Sequence, residues 1–327
     1  TMSLRDQPFA ELLANRPLLF DGAMGTELYQ RGVFLNQSFE GVVLNRPELV
    51  EQVHRAYVDA GAEVVETHTY GANRVSLTDK GLAAEAETIN RAAVRLARAA
   101  AGDAAFVAGA MGPTGLDPRL ADPQTEESLR RAYVEQAGWL IDEGVDLLVL
   151  ETFTCLWEMG LALSAVRGAF PGAYILASCL FDGDGQCGGA DPRTVGDRLV
   201  GLGANAIGAN CGEGPDVVFA AATALLACGV PVAAMSNAGS PTRHEGRHIY
   251  VANPEFFAVH TRRLLKAGVK MVGGCCGTTP SHTKRMASAF HMFAPRVSAP
   301  IGAAQPVAVS PPRSGLDASL RAGRFCV

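Results

Sequence analysis

The chain has 327 residues, 48% of them hydrophobic, which is enough for one large buried core or two smaller ones. Charged residues make up 19% and the net charge is −5, so no basic surplus exists to neutralise a phosphate backbone, and nucleic acid is not an expected partner. No apolar run approaches the roughly 18 residues of a membrane span, and the first 17 residues lack the basic, apolar and small-residue regions of a signal peptide; a cytoplasmic chain is expected.

Short β-branched or apolar runs recur in chain order at 18–20, 63–67, 106–109, 147–151, 174–180, 206–210, 232–236 and 270–274. Helical patterns at 47–60, 85–101, 126–143, 156–169, 191–202, 215–228, 254–267 and 280–293 separate them. In the first helix Leu49, Val50, Val53 and Tyr57 share one face, Pro47 suits the first turn and Gly61 ends it. Gly61, Gly144, Gly203 and Gly268 each stand between a helical pattern and a strand, where glycine caps the helix and turns the chain back. About eight β-then-α units with strands apolar on both faces predict an α/β fold, a (β/α)8 TIM barrel. The alternative is an open doubly wound sheet. The early strands are about 40 residues apart, more than one unit needs, so the first loops carry insertions. The barrel is expected over residues 1–295. Residues 296–327, rich in Pro, Ala and Ser, are expected to form a linker to a further module absent from this chain.

In such a barrel the chemistry sits at the C-terminal strand ends. Those ends hold Asp21, Gly22, Ala23 and Met24, then Thr67 and His68, Glu151, Asn210 and Cys211, Asn237, and the pair Cys275-Cys276 between glycines. Adjacent cysteines on a strand point to opposite faces, so Cys275 and Cys276 converge only where the strand breaks into a turn. Gly273, Gly274 and Gly277 permit that break. With Cys211, they form a three-thiolate set that leaves one tetrahedral position open, the pattern of a catalytic zinc. Zinc in an electron-rich thiolate shell suits alkyl transfer to a bound thiol better than hydrolysis. Asp21 and Glu151 could bind an α-ammonium group, and the turn at residues 22–24 could offer N–H groups to an α-carboxylate. Thr67 is a further candidate substrate contact. His68 is either a ligand or base, or a satisfied rim histidine. Gly183, Gly185 and Gly188 match a dinucleotide-binding pattern, but Pro192 starts the next helix too late, and a loop is expected there.

The stretches Asp-Gly-Ala-Met-Gly-Thr at 21–26, Asn-Cys-Gly at 210–212 and Gly-Gly-Cys-Cys-Gly-Thr-Thr-Pro at 273–280 resemble the homocysteine S-methyltransferase family. The resemblance runs from about residue 18 to 293. It implies a TIM barrel, zinc on Cys211, Cys275 and Cys276, and homocysteine bound to zinc through sulfur. It also implies Asp21 and Glu151 on the amino group, the backbone of Gly22, Ala23 and Met24 on the carboxylate, and Asn237 completing the zinc shell before substrate arrives. Residues 66–73 look most like the methionine-synthase branch, which usually has Asn where His68 stands. The expected methyl donor is methylcobalamin, or a folate-derived methyl group, on a C-terminal module. That module would be a folate-binding domain, or a methylenetetrahydrofolate reductase in a bifunctional homologue. Only 2 Trp and 6 Tyr leave little for an aromatic betaine cage. A self-sufficient enzyme using S-methylmethionine or betaine is the alternative within the family. A zinc and thiol redox-sensing barrel without turnover is the alternative outside it.

Overall fold

A computed structural model of the chain describes residues 4–33, 38–116, 122–239, 242–244, 247–249, 252–290 and 292. The eight barrel strands are β1 (Leu18–Leu19), β2 (Val64–Glu66), β3 (Phe106–Met111), β4 (Leu147–Phe153), β5 (Ile175–Cys179), β6 (Ala206–Cys211), β7 (Val232–Ser236) and β10 (Met271–Gly274). All pair in parallel, in the order β1-β10-β7-β6-β5-β4-β3-β2. A parallel bridge between Phe20 and Val64 joins the two ends, and Asp21 N–H donates to Val64 O at 3.0 Å beside it. The sheet is therefore a closed barrel, the predicted TIM fold rather than the open doubly wound alternative.

Helices α4 (Pro47–Asp59), α6 (Ala86–Ala101), α7 (Pro123–Asp142), α8 (Leu156–Ala169), α9 (Pro192–Gly201), α10 (Pro215–Leu225), α11 (Pro254–Ala267) and α12 (Pro280–Phe290) alternate with these strands. Local chemistry starts and stops them as read from sequence. Pro47, Pro123, Pro192, Pro215 and Pro254 open the first turns. Asp122, Asp191 and Asn253 cap the following N–H groups with their side chains. Gly61, Gly144, Gly203 and Gly268 all adopt positive φ, at 105°, 83°, 93° and 105°. The expected insertions are α2 (Met24–Gln30) and α3 (Val42–Asn45) after β1, and α5 (Arg74–Thr78) after β2. The glycine-rich 183–188 stretch is a loop between β5 and α9, where Asp182 Oδ1 accepts the N–H groups of Asp184 and Gln186 at 3.1 and 2.9 Å.

Two elements were not anticipated. One is α1 (Phe9–Asn15), whose Phe9 and Leu13 join Leu18, Phe20, Val64, Phe106, Leu147, Val149, Leu176, Met235 and Met271 in one apolar cluster. Phe9 meets the rings of Phe106 and Tyr174 edge-on, with centroids 5.4 and 5.0 Å away. This cluster fills the lumen, and α1 plugs its N-terminal end. The other is the antiparallel hairpin β8 (Thr242–His244) and β9 (Arg247–Ile249) after β7. The second, larger cluster packs the outward faces of the strands against the helices.

The described elements belong to one compact unit, Thr1–Ala294. The expected linker at 296–327 lies outside the described residues. Among those residues no helix is long and apolar enough to cross a membrane.

Two capping glycines allow strain and crowding to be separated. A Cβ on Gly61 would lie 2.8 Å from Ala287 Cβ, whereas one on Gly144 would meet nothing within 4 Å. Gly144→Ala should cost about 1 kcal/mol for its left-handed backbone alone, and Gly61→Ala about 2–3 kcal/mol. Denaturant unfolding measures both, and equal losses would show that the Ala287 contact yields freely.

Candidate functional site

Strand alternation decides what faces the mouth. On β2, Val64 joins the lumen cluster, so Glu66 follows on the same side; on β4, Val149 does so and Glu151 follows. Ser178 and Asn210 stand in the same layer, two residues beyond Leu176 and four beyond Ala206. These side chains line a cavity of about 420 Å³ that also takes in residues 22–26, Thr67, His68, Tyr70, Cys211, Cys275 and Cys276. Its floor is the top of the lumen core at Val149, Leu176 and Met235.

The thiols arrive by different routes. β10 ends at Gly274, and Cys275 and Cys276 lie in the turn that follows, with Thr278 N–H donating to Cys275 O at 3.1 Å and Gly277 at φ 81°. The predicted break is therefore present. Cys211 instead ends β6 in the left-handed region, φ 64°, a conformation costly for a non-glycine residue. Its neighbour Asn210 faces the mouth by alternation, so this twist is what turns the Cys211 thiol inward as well. The three sulfurs all lie within 4.8 Å of one another, and those of Cys211 and Cys276 are 4.0 Å apart. Tetrahedral donors about 2.3 Å from zinc stand about 3.8 Å from each other, so the set fits a soft divalent metal. Hydrogen bonds to Cys211 and Cys276, together with burial, hold the Cys275 thiol well above its usual range. At Cys211 the Cys275 hydrogen bond pulls down, but the Cys276 hydrogen bond and burial prevail and push the thiol up to about 12. Crowded thiols share protons in this way, and a divalent cation would replace them.

Asn237, 2% exposed, stands directly after β7. Its Nδ2 donates to Gly212 O at 2.6 Å, while its buried Oδ1 has no hydrogen-bond partner. This leaves an orphaned, buried carbonyl oxygen at the end of β7, between the strands that lead to the cysteines.

Thr278 stitches the turns together. Its hydroxyl donates to Cys275 O at 2.7 Å and accepts Ala23 N–H at 3.2 Å. Gly277 N–H donates to Thr26 Oγ1 at 3.0 Å, and the Tyr57 hydroxyl reaches the carbonyls of Ala23 and Thr278 at 3.1 and 3.2 Å. A Cβ on Gly22 or Gly274 would overlap the Thr278 side chain, so both must be glycine for the turns to meet.

Glu66 and Glu151 line the cavity, and Asp21 lies close enough for its charge to act on Glu66. Asp21, 5% exposed, accepts the Glu66 backbone N–H at 3.1 Å. Burial raises its carboxyl, and Glu151 adds to the effect. Burial and the charges of Glu151 and Asp21 raise Glu66. Glu151 is pushed up to about 7 by burial, with Cys276 contributing. No Lys or Arg stands among the described residues that line the cavity. The site therefore favours a cationic ligand.

Asp21 and Glu151, named from sequence, thus stand together, and Thr67 lines the cavity with its hydroxyl 2.6 Å from that of Thr69. His68 is a satisfied rim histidine: its Nε2–H donates to Phe39 O at 2.7 Å, and burial lowers its pKa. Two residues stood at strand ends in the sequence reading without a role. Glu66 is one, and Asn210 is the other. Asn210 Oδ1 accepts Thr152 N–H at 3.0 Å and the Ser178 hydroxyl at 2.7 Å, while Nδ2 donates to Glu151 Oε2 at 3.1 Å and Thr152 Oγ1 at 2.6 Å. It so fixes Glu151 beside Thr152, whose φ of 59° marks an irregularity in β4 between Leu150 and Phe153. Counting alternate residues outward from the lumen core turns both toward the mouth.

A family model described as homocysteine S-methyltransferase matches residues 18–290. Curated relatives include a methionine synthase of Mycobacterium leprae, 31% identical over 307 residues, or 87% of this chain and 25% of that one. The methionine synthase of Mycobacterium tuberculosis is 31% identical over 306 residues, 88% of this chain and 26% of that one. The chain thus spans about a quarter of the length of these relatives. Among solved structures, the metallated form of the homocysteine methyltransferase MmuM from Escherichia coli superposes with a TM-score of 0.72 at 29% identity, covering 86% of this chain and 99% of that one.

The raised Glu151 carboxyl carries a stability consequence. With a folded pKa of about 7 against an ordinary 4.5, Glu151 is protonated in the fold and ionised in the unfolded chain between those values, so stability falls as pH rises from 4.5 to 7 and stays reduced above. Glu151→Gln should remove this penalty. The substrate-free variant should melt about 3 °C higher than the parent at pH 8, with the difference vanishing near pH 4.5. A lower melting point at pH 8 would contradict the burial of a charged Glu151.

Proposed function

Because the chain belongs to the homocysteine S-methyltransferase family, we propose that its barrel binds zinc and homocysteine and transfers a methyl group to the homocysteine sulfur, making methionine. The observation that carries this reading is the joining of three mutually close thiols and an ammonium-seeking carboxylate set in one cavity. Cys211, Cys275 and Cys276 would hold the zinc, with Asn237 Oδ1 available as a fourth donor, and the metal would supply the acidity that makes a bound thiol a thiolate at neutral pH.

The chain's own residues position the substrate. Asp21 and Glu151 accept hydrogen bonds from the α-ammonium group, and Asn210 holds Glu151 in place for it. The backbone at Gly22, Ala23 and Met24 meets the α-carboxylate; Ala23 N–H is already given to Thr278, which leaves the flanking N–H groups to donate. Thr67 closes that side of the cavity. Homocysteine fixed at this end presents its sulfur to the thiol cluster. The thiolate then attacks the methyl carbon in line, the S–C bond forms as the donor–methyl bond breaks, and the donor leaves with the bonding electrons. The cavity mouth is the remaining direction of approach.

The donor proposed is methylcobalamin, or a folate-derived methyl group, carried by a module C-terminal to the barrel of residues 1–295 and reached through residues 296–327. Relatives about four times as long support this, since they are methionine synthases. The cavity also has only Phe39 and Tyr70 as aromatic residues among its described lining, too few for a quaternary-ammonium cage. A cytoplasmic setting is part of the proposal, because these thiols work only when reduced. One observation favours the second reading, a self-sufficient S-methylmethionine- or betaine-dependent enzyme: MmuM matches over 99% of its length, with no further module.

Two measurements test the reading. The purified chain should bind about one zinc with sulfur neighbours at about 2.3 Å, and Cys211→Ala, Cys275→Ala and Cys276→Ala should each lose it. Retention of zinc in all three variants would remove the metal site from these cysteines. Separately, the chain supplied with homocysteine and free methylcobalamin, S-methylmethionine or betaine should form methionine with methylcobalamin and little with the other two. Robust turnover with betaine or S-methylmethionine alone would establish the self-sufficient reading instead.

A further inference from the structure

Glu66 has no place in the scheme so far. It ends β2, follows Val64 on the lumen side and lines the cavity with Glu151, with Asp21 directly beside it. Its backbone N–H is spent on Asp21 Oδ2 at 3.1 Å, which places the two residues in direct contact. Its carboxylate accepts no hydrogen bond from any described residue. The other two acids are partly occupied: Asp21 by that N–H, and Glu151 by Asn210 Nδ2 at 3.1 Å and Thr152 Oγ1 at 3.2 Å. A half-buried carboxylate without a partner is costly, and no Lys or Arg among the described lining residues offsets it. The thiol cluster in its lining marks this cavity as a ligand site independently of its acids, and the buried, orphaned Asn237 Oδ1 follows β7, between the strands that lead to the thiols.

We propose that Glu66 is a third acceptor for the α-ammonium group of homocysteine, completing a three-carboxylate cradle with Asp21 and Glu151; the proposal rests on the homocysteine reading above. An ammonium group carries three diverging N–H donors. Two carboxylates leave one donor without a charged partner. Glu66 supplies that partner from the neighbouring strand, and the ligand supplies the cation that Glu66 lacks. The cradle makes the site selective for an amino acid over a thiol acid of the same length, because removing the ammonium group leaves three carboxylates facing one another.

The test compares L-homocysteine with 4-sulfanylbutanoate, the same molecule without its amino group, by calorimetry on the zinc-loaded chain. Glu66→Gln should weaken homocysteine binding about tenfold or more. It should leave zinc content unchanged and leave the amino-free ligand bound as well as before or better. Glu66→Asp, which draws the charge back by one methylene, provides the same comparison if the glutamine variant does not fold. Equal losses for both ligands would show that Glu66 merely shapes the cavity, and unchanged homocysteine affinity would show that it takes no part; either overturns the cradle while the homocysteine reading stands. Failure of the parent chain to bind homocysteine would overturn both.

Discussion

Glu66 and Glu151 share one mouth with Cys211, Cys275 and Cys276, Asp21 touches Glu66, and no lysine or arginine among the described lining residues offsets them. Groups of this kind repel one another once ionised, and burial makes each charge costlier still. The raised carboxyls and thiols are the signature of that conflict. A divalent metal on the sulfurs and an ammonium group on the acids would each resolve part of it. The substrate-free fold is less stable for holding these groups together, and the binding of cations regains what was lost.

Such an arrangement survives only on a stiff frame. Closure of the sheet through Phe20 and Val64 keeps strands distant in sequence side by side, so Asp21 and Glu66 touch while Cys275 follows directly on β10 next to β1. The apolar lumen core beneath, sealed by Phe9, gives the mouth a packed floor. Above it, Thr278 and Tyr57 lock the turn after β1 to the turn after β10. Asn210 fastens Glu151 and Thr152 to β6. The left-handed residues Thr152 and Cys211 both belong to the site, and the surrounding hydrogen bonds hold them there.

The homocysteine S-methyltransferase family model spans the strands that carry the thiols and all three carboxylates. Glu66 touches Asp21, which is the ground for proposing it at the amino-acid end of homocysteine. In the proposed reading, selection of the amino acid and activation of sulfur would lie on opposite sides of one cavity and leave the mouth for the methyl donor. The proposed donor, held by a separate module, would need that access.

What was legible in sequence is what depends on neighbours along the chain. Proline at first turns, Asp or Asn caps and the four capping glycines set the helix boundaries, so α8 and α11 lie within the bounds read from pattern alone. The glycine-flanked Cys275-Cys276 pair announced a break in β10 because two adjacent side chains cannot otherwise converge. The helix α1 left no comparable signal. It is short and is stabilised by burying Phe9 and Leu13 in a lumen made by residues far along the chain. The roles of Glu66 and Asn210 depended on which strand face became the lumen, and Cys211 reaches the thiol cluster only through a left-handed backbone that no residue type announces. The residue types and spacing in the sequence determined the helices, the strands and the thiol pair. Tertiary structure alone decided which carboxylates share the mouth and how Cys211 joins the other thiols, because closing the barrel sets those distances between strands and no local preference encodes them.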